Sequence, residues 1–380
     1  MEQARAVVDL RHAVFLPGEI PFVRKRRQKM RILWIVNNIN QVGGIERVVI
    51  NLSNYFFSRG IEVSISSLCS KDGHPFFPVE DGVKITHENR TVANRLSLFR
   101  AVYNAVKKSD ADIVIGCHGG INNAIVSCKP LLRGRKKIIV TQHCSYDFDT
   151  KSRRILNSVF HRRADAFLVL TESDKAFWNR YGMKNCKVMP NAIVNYPTKT
   201  ASMDCNVVIS AGRLTGVKGF DFLIKAFAVF HKTHPSWKLR ILGDGEERGN
   251  LESMVNRLGL TQSVELPGFT NSVIDEFSRS SVFALTSRSE GFAMVLLEAM
   301  SCGLPVISVD LPASHEILGQ NAGVISARDE NIFADNLSKM VEDKCTLIQY
   351  GQHAIERSKC FSMERIGDSW IELLCELLRQ

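Results

Sequence analysis

The sequence predicts an α/β protein with two domains, each built on a parallel, doubly wound sheet. Short apolar runs typical of buried strands alternate with longer segments in which apolar residues recur at helical spacing. The alternation stops at a polar linker, residues 196–206, and starts again at Val207. A chain of 380 residues is long enough for two such domains.

Residues 1–29 differ in composition from everything that follows. Prolines and a basic run, residues 24–29, interrupt them, whereas Met30 is followed directly by an apolar run typical of a first strand. We therefore predict that residues 1–29 are an upstream extension outside the folded protein; a basic arm that contacts a membrane is the alternative. The first domain is predicted to comprise residues 30–195, and the second residues 196–355.

Charge is distributed unevenly over a chain whose formal net charge is +10. Residues 30–195 carry 24 lysines and arginines against 13 acidic residues, whereas residues 196–380 carry 18 against 23. A basic first half indicates an anionic partner, either a nucleic acid or a membrane. With six tyrosines and no basic motif interleaved with aromatic residues, nucleic acid is not predicted. We predict an anionic membrane, contacted through the amphipathic helix expected at Leu96–Lys108; an ordinary surface helix is the alternative.

The sequence predicts a cytoplasmic protein that binds peripherally to the inner face of the cell membrane. No apolar run approaches the roughly 18–20 residues that a membrane span needs, and the N-terminal residues lack the pattern of a signal peptide. The ten cysteines form no C-x-x-C pair and lie mostly in apolar segments, as expected for reduced structural thiols.

One strand–helix–strand unit, residues 281–309, contains the clearest binding pattern. Val282–Thr286 is predicted to be a buried strand, and after a polar loop a helix is predicted to open at Glu290–Ala293 and to end at Gly303. A glycine-containing turn at the start of a helix presents free N–H groups and the positive end of the helix dipole to an anion. The unit therefore predicts an anion site.

Two glutamates flank this predicted anion site. Glu290 stands at the turn, and Glu298 lies eight residues later, two turns into the predicted helix. Since a carboxylate repels phosphate, we expect it to bind sugar hydroxyls, as the acidic residue of dinucleotide-binding folds does. One anion site with two hydroxyl acceptors fits a nucleoside-diphosphate sugar. Solvated glutamates in an ordinary crossover are the alternative.

Further candidate residues follow predicted strands in both halves. Arg213 and Lys218 lie five residues apart on a strand-to-helix loop, where two cations can clamp a diphosphate. Gly43 and Gly44 form a turn before a helix and allow a ligand to approach the backbone closely. His118 follows another strand, at the edge where ligands bind in α/β sheets, although a structural histidine is the alternative.

Metal binding is not predicted. Asp110 and Asp112 match the D-x-D pattern of metal sites, but they precede a strand, whereas the ligand-binding residues of α/β sheets follow strands. Asp147 and Asp149 repeat the pattern weakly. We therefore expect a metal-independent site.

In order and spacing, these motifs resemble those of the family 4 retaining glycosyltransferases. The two glutamates match the E-x7-E signature within an EGF…LEAM…G-P-V frame, the two cations match G-R-x…K-G, and the glycines match GG-x-E-R-V. The resemblance covers about residues 30–378. The matching residues are Gly43, Gly44, His118, Arg213, Lys218, Glu290 and Glu298.

The resemblance implies the GT-B fold, in which two Rossmann-like domains face each other across a cleft. It also implies that C-terminal helices, here residues 356–380, pack back on the first domain. The implied reaction is retaining transfer of a hexosyl unit from a nucleoside-diphosphate sugar, UDP in preference to GDP, without a metal or a further cofactor. The implied acceptor is a hydroxyl of a saccharide, typically lipid-linked, in cell-surface polysaccharide or glycan assembly.

The resemblance also implies roles for individual residues. Those expected to hold the leaving diphosphate or the hexose during catalysis are Arg213, Lys218, Glu290 and His118. Those expected to bind the donor are Gly43, Gly44, Thr270, Gly291, Phe292, Ala293, Met294 and Glu298. Within the donor-binding set, Thr270 belongs to the turn that is expected to contact the nucleotide base. Glu298 is expected to hold the ribose. His143 is expected on the acceptor side.

Two other functions stay open at the level of the sequence. A nucleotide-sugar epimerase uses a similar two-domain fold and forms a new sugar without an acceptor. A non-catalytic carbohydrate-binding protein has no need of cations at a diphosphate, so Arg213 and Lys218 argue against it.

Overall fold

The protein contains two separate parallel sheets with helices between their strands. The computed structural model describes residues 29–70, 73–89, 94–132, 136–194, 196–197 and 200–380. The predicted extension, residues 1–29, lies outside these described residues except for Lys29. Every strand pair within the two sheets is parallel. The predicted α/β class, with two doubly wound sheets, is confirmed.

The first sheet is formed by the first half of the chain. Its strands are β1 (Arg31–Val36), β2 (Glu62–Ser67), β3 (Lys84–His87), β4 (Ile113–Gly116), β5 (Lys137–Thr141), β6 (Ala166–Val169) and β7 (Cys186–Val188). The helices between them are α1 (Gly44–Ser58), α2 (Arg95–Lys108), α3 (Gly119–Cys128), α4 (Lys151–His161) and α5 (Glu172–Arg180). Across the sheet the order is β3-β2-β1-β4-β5-β6-β7.

The second sheet is formed by the second half of the chain. Its strands are β8 (Val207–Ala211), β9 (Lys238–Leu242), β10 (Val264–Gly268), β11 (Val282–Leu285), β12 (Val306–Val309) and β13 (Gly323–Ser326). The helices are α6 (Phe220–His231), α7 (Arg248–Arg257), α8 (Val273–Ser278), α9 (Met294–Ser301), α10 (Pro312–Leu318), α11 (Glu330–Glu342), α12 (Lys344–Ser358) and α13 (Met363–Arg379). Across the sheet the order is β10-β9-β8-β11-β12-β13.

Each sheet has one point at which the strand order reverses. In the first sheet this point lies between β1 and β4, and in the second it lies between β8 and β11. The loops on the two sides of such a point diverge and leave a crevice at the carboxyl ends of the strands, where α/β proteins bind their ligands. The sheet topology therefore predicts one binding crevice in each domain.

Helix α13 completes the core of the first domain although it comes from the end of the chain. Trp370 of this helix packs on Trp34 of β1 and Phe56 of α1, with ring centroids 5.7 and 6.2 Å apart. The preceding helix, α12, packs on helices of the second domain. The chain thus returns to the first domain after Ser358, whereas the predicted boundary at residue 356 falls inside α12.

The prediction missed both edge strands of the first sheet. It made Ala166–Thr171 the last strand of this domain, but β7 pairs beyond that strand, and β3 forms the opposite edge. Strand β7 has only three residues. Strand β3 contains Lys84 and His87 and is not buried, so neither edge strand carries the apolar run that identifies a core strand.

The helix predicted at Leu96–Lys108 is present as α2, and the predicted membrane contact through it stays a prediction. Four residues of its apolar face, Ala101, Val102, Ala105 and Val106, are buried in the core of the first domain, whereas Leu96 is 58% exposed. Its exposed basic residues lie on the opposite face. Within the described ranges, no helix combines the length and the apolar character that crossing a bilayer requires.

Helix α9 begins at Met294, four residues later than predicted. The preceding residues, from Gly291, form a buried, non-helical turn because tertiary contacts hold them there. Phe292 packs on Phe361 with ring centroids 5.7 Å apart, and Gly291 lies against the main chain of His143 in the first domain. Glu298 is therefore just over one helical turn from the start of the helix, not two.

Candidate active site

The crevice of the second domain brings Lys218 and Glu290 together. The Lys218 ammonium donates to Oε1 of Glu290 across 2.7 Å, and the Ser287 hydroxyl donates to the same oxygen across 2.6 Å. Both charged side chains are mostly shielded from solvent. An ion pair with little solvent around it is strong, so a ligand must offer both partners equivalent contacts to separate them.

A glycine allows the loop that carries Lys218 to approach the loop that carries Glu290. Gly219 has φ +66°, and a Cβ at this position would lie 2.1 Å from the carbonyl oxygen of Thr286. Backbone oxygen cannot move aside as a flexible side chain can. Only glycine therefore fits both the left-handed conformation and the space between these loops.

Arg213, the second predicted cation, is exposed near the same loop. Among the residues that the structure describes, its side chain has no hydrogen bond or ion pair. An unpaired guanidinium presents its planar fork of donors to an incoming anion, as phosphate binding requires. The geometry thus provides one paired and one available cation beside the crevice.

Glu298, the second glutamate, is paired across the two domains. Its carboxylate accepts a hydrogen bond from the guanidinium of Arg47, which lies in the first turn of α1, three residues after Gly44. Glu298 is almost fully buried. The ion pair places the glycine turn of the first domain next to the glutamate expected at the ribose. Sequence reasoning missed Arg47, although the motif GG-x-E-R-V contained it.

Gly291 closes the cleft between the two domains. A Cβ at this position would lie 2.2 Å from the carbonyl oxygen of His143 and 2.9 Å from Cα of Cys144. The turn before α9 therefore packs directly on the loop after β5. Main-chain atoms cannot change rotamer as side chains can. Their contact therefore fixes the distance between the crevices of the two domains more tightly than side-chain packing does.

The wall formed by the first domain is lined by two neutral histidines. His118 is the N-terminal cap of α3, and burial lowers its pKa. Burial and the neighbouring His118 lower the pKa of His143 to about 4, and its Nε2 lies 2.9 Å from the hydroxyl of Thr141. The Nδ1 atoms of both rings are buried without a hydrogen-bond partner among the described residues. A buried ring nitrogen without a partner is uncommon in a folded protein, so the two histidines stand out among the polar residues of this wall.

The remaining predicted residues, Gly43, Gly44 and Thr270, lie after strands of the two sheets. Gly43 precedes α1, and a Cβ there would lie 2.2 Å from Oε2 of the buried Glu46, whereas a Cβ on Gly44 meets nothing within 4 Å. Thr270 follows β10, and its hydroxyl accepts a hydrogen bond from the Ser272 N–H across 3.0 Å. Within the described ranges, no hydrogen bond joins Thr270 to the other predicted site residues.

Comparison with known proteins identifies the family. The model described as Glycosyltransferase Family 4 matches residues 42–194, and the model described as Glycosyl transferases group 1 matches residues 196–357. This chain belongs to the family 4 glycosyltransferases. The family predicted from the sequence is thereby confirmed.

Relatives of this glycosyltransferase match it along nearly its whole length. The amylovoran biosynthesis glycosyltransferase AmsD of Erwinia amylovora is 27% identical over 353 residues, which cover 90% of this chain and 99% of the relative. A Campylobacter jejuni GalNAc-α-(1→4)-GalNAc-α-(1→3)-diNAcBac-PP-undecaprenol α-1,4-N-acetyl-D-galactosaminyltransferase is 28% identical over 366 residues, 92% of this chain and 99% of the relative. Among solved structures, Anabaena HepE in complex with UDP and glucose has a TM-score of 0.76 at 19% identity, covering 91% of this chain and 99% of that one. The predicted GT-B fold is confirmed.

Two arginines that sequence reasoning missed support the glutamate loop of the glycosyltransferase. Arg328 donates to the carbonyl oxygens of Thr286 and Ser287, and its guanidinium lies 5.5 Å from the ring centroid of Phe222. Arg288 forms a 2.7 Å ion pair with Asp221 at the start of α6. No local motif identifies these arginines because their partners are at least 41 residues away in the sequence.

The D-x-D pattern at Asp110 and Asp112 has a structural role in the glycosyltransferase. Both carboxylates accept hydrogen bonds from the Arg31 guanidinium across 2.9 Å. Arg31 begins β1, so these contacts join the amino ends of β1 and β4. The pair therefore lies at the edge of the sheet opposite to the binding crevice.

A third contact between the domains is made by Glu316 of α10. Its carboxylate accepts a 2.7 Å hydrogen bond from the N–H of Glu172 at the start of α5. Burial is the main cause that raises the pKa of Glu316 to about 7, from an ordinary value of 4.5, and the neighbouring Glu172 and Asp174 add to it. The carboxyl group is therefore half-protonated near neutral pH.

We expect Glu316→Gln to stabilise the folded protein above neutral pH. The protonated carboxyl group is favoured in the folded state, so its contribution to stability is fully present below about pH 4.5. This contribution is lost as the pH rises to about 7, because the unfolded chain releases the proton first. Glutamine keeps the acceptor for the Glu172 N–H and removes the ionisation. At about 1.4 kcal/mol per pKa unit, discounted for partial exposure, the free energy of unfolding should rise by about 1–3 kcal/mol at about pH 8.

Urea unfolding at about pH 5 and about pH 8 measures this effect. The wild type and Glu316→Gln should differ in their free energies of unfolding only at the higher pH. Glu342→Gln, at an exposed position on α11, is the matched control and should show no pH-dependent difference. An equal effect of Glu316→Gln at both pH values would mean that ionisation of Glu316 does not oppose folding.

Proposed function

We propose that this protein is a retaining glycosyltransferase that moves a hexosyl unit from a UDP-sugar, in preference to a GDP-sugar, to a hydroxyl of a lipid-linked saccharide. The observation that carries the proposal is the pairing of both motif glutamates with cations in the cleft, Glu290 with Lys218 and Glu298 with Arg47. A nucleoside-diphosphate sugar offers phosphates to such cations and hydroxyls to such carboxylates.

The proposed mechanism uses fixed charges rather than a metal. Negative charge develops on the leaving diphosphate as its bond to the anomeric carbon breaks. Arg213, Lys218 and the N–H groups from Gly291 to Met294 stabilise this charge. Glu290 and the neutral His118 hold the hexose, while Glu298 holds the ribose. The acceptor hydroxyl attacks the face of the sugar from which the diphosphate leaves, and its proton passes to the leaving phosphate oxygen. The configuration at the anomeric carbon is therefore retained.

The names of relatives support the proposed substrates. AmsD belongs to amylovoran biosynthesis, and the Campylobacter jejuni relative acts on a saccharide carried by PP-undecaprenol. HepE was solved with UDP and glucose. By analogy, we propose that the present enzyme works in cell-surface polysaccharide or glycan assembly, at the cytoplasmic face of the membrane where such lipid carriers are extended.

Nucleotide release with and without acceptor tests the proposal. The full chain is incubated with UDP- and GDP-hexoses, with extracted lipid-linked saccharides and with a metal chelator. We expect UDP release that depends on acceptor and resists the chelator, and NMR of the product should show the anomeric configuration of the donor. A new nucleotide-sugar formed without acceptor would instead identify an epimerase, and binding without turnover would identify a carbohydrate-binding protein.

We expect Glu298→Ala to weaken the binding of uridine and UDP by a similar factor. The lost contact is with the ribose, which both ligands contain and which does not change during the reaction. Leaving the ribose hydroxyls unpaired costs roughly 1–3 kcal/mol, or about 5- to 150-fold in affinity. Isothermal titration with both ligands measures the effect, and kcat at saturating donor should change little.

Arg47→Ala is the matched control for this experiment. It removes the same ion pair between the domains but leaves the Glu298 carboxylate in place. If Glu298 acts through the ribose, uridine binding to Arg47→Ala should not weaken. If both variants lose uridine affinity equally, the ion pair and not the ribose contact is the cause.

A further inference from the structure

Helix α4 of the first domain has an inverted amphipathic pattern. The residues on its inner face are polar: Asn157, Ser158 and His161 are buried. Its outer face carries Ile155, Leu156 and Val159, whose residues are 59%, 38% and 43% exposed. A surface helix ordinarily buries its aliphatic stripe and exposes its polar one. Here the stripe that would normally form the core faces away from the protein.

The exposed aliphatic residues form one continuous patch. Ile155 and Val159 are one helical turn apart, and Leu156 lies beside them, so all three share a face. Phe148, in the turn that precedes the helix, is 48% exposed. We call these four residues the α4 patch. Several neighbouring large apolar side chains exposed together, rather than singly, indicate an interaction site.

Basic residues flank the α4 patch at both ends of the helix. Lys151 and Arg153 lie in its first turn, and Arg162 and Arg163 directly follow its last residue; all four are exposed. None of them forms an ion pair with an acidic side chain of the described part of the chain. The nearby Asp149 and Asp165 are engaged by Asn157 and Lys129. The patch therefore combines apolar surface with an excess of available positive charge.

Apolar surface flanked by positive charge fits one class of partner better than the others. A second copy of the chain, paired through the same face around a twofold axis, would bring the basic flanks of both copies together. Nucleic acid bases stack on successive aromatic side chains, whereas three of the four residues of the α4 patch are aliphatic. An anionic lipid surface takes aliphatic side chains at the boundary of headgroups and acyl chains, and its phosphates attract the flanking cations.

We propose that α4 is the membrane-docking element of this protein and inserts the α4 patch into an anionic bilayer. The proposal rests on the proposed function, because a lipid-linked acceptor requires the enzyme at the membrane. Helix α4 follows the loop after β5, which carries His143 and Cys144 and packs on Gly291 in the cleft. Docking through α4 therefore holds the acceptor side of the cleft close to the lipid surface.

Vesicle sedimentation tests the docking surface. The full chain is mixed with vesicles of phosphatidylcholine containing phosphatidylglycerol, and with vesicles of phosphatidylcholine alone. We expect binding to the anionic vesicles that weakens with salt, and a loss of roughly tenfold or more in the partition coefficient for Ile155→Gln/Val159→Gln. Ile332→Gln, at a position on α11 of the second domain that is 48% exposed, is the matched control and should bind like the wild type.

The outcomes separate the docking surface from the proposed reaction. Unchanged partition of the double variant, or equal binding of the wild type to both vesicle types, overturns the proposal. A dimer seen by light scattering in the wild type and lost in the double variant also overturns it, since the patch then joins two copies. Transfer to a short, soluble acceptor should not depend on the patch. If vesicles bind but no transfer occurs with any acceptor, the proposed function fails while the docking surface stands.

Discussion

Lys218→Ala is expected to lower kcat by roughly 10²–10³-fold, the range observed for the loss of one preorganised donor to a developing oxyanion. Lys218 lies in the crevice of the second domain, where its ammonium donates to Glu290 across 2.7 Å. During the reaction this cation faces charge that grows on the leaving diphosphate, so its contribution is larger in the transition state than in the ground state. Steady-state kinetics with varied donor measure the effect.

Lys225→Ala is the control for Lys218→Ala. Lys225 lies seven residues later on α6, where it is half exposed and makes a long 3.9 Å ion pair with Glu330. Such a surface pair contributes little, so kcat and the melting temperature should change hardly at all. If Lys218→Ala raises only KM while kcat is retained, Lys218 binds the donor without stabilising the transition state, and its proposed role is wrong.

Gly291→Ala is expected to lower kcat/KM by about 10²-fold without unfolding either domain. The added Cβ would lie 2.2 Å from the His143 carbonyl oxygen and 2.9 Å from Cα of Cys144. The atoms nearest to the added Cβ all belong to the main chain of the first domain, so no side chain can rotate away to relieve the clash. We expect the two domains to move apart by about 1 Å instead. Misplacement by that distance between reacting groups held on opposite walls can cost about 10²-fold.

Gly249→Ala provides the matched glycine control. Gly249 lies in α7, and a Cβ at this position meets nothing within 4 Å. Alanine in a helix is favoured over glycine by roughly 0.5–1 kcal/mol, so this variant should be fully active and slightly more stable. Thermal melts and UDP titrations should show that Gly291→Ala is folded and still binds nucleotide. Full transfer activity of Gly291→Ala would mean that the contact with His143 is not part of the catalytic state.

The sequence by itself determined the fold class, the family and the candidate residues on each loop. Alternating apolar runs identified the core strands because a strand buried on both faces must be apolar along its length. Short-range motifs identified Arg213, Lys218, Glu290 and Glu298 because the glycines and charges needed at one turn lie within a few residues of one another. Edge strands such as β7 were not predicted, since a half-exposed edge strand lacks a continuous apolar run.

The tertiary structure alone decided which residues meet. Arg47 contacts Glu298 across 251 positions of the chain, and Gly291 meets His143 across the cleft. Periodicity shows that a helix has an apolar stripe but not whether that stripe is covered, so only the structure showed that α2 buries its stripe and that α4 exposes one. Contacts of this kind depend on how two domains pack, and packing is decided by surfaces assembled from distant segments of the chain.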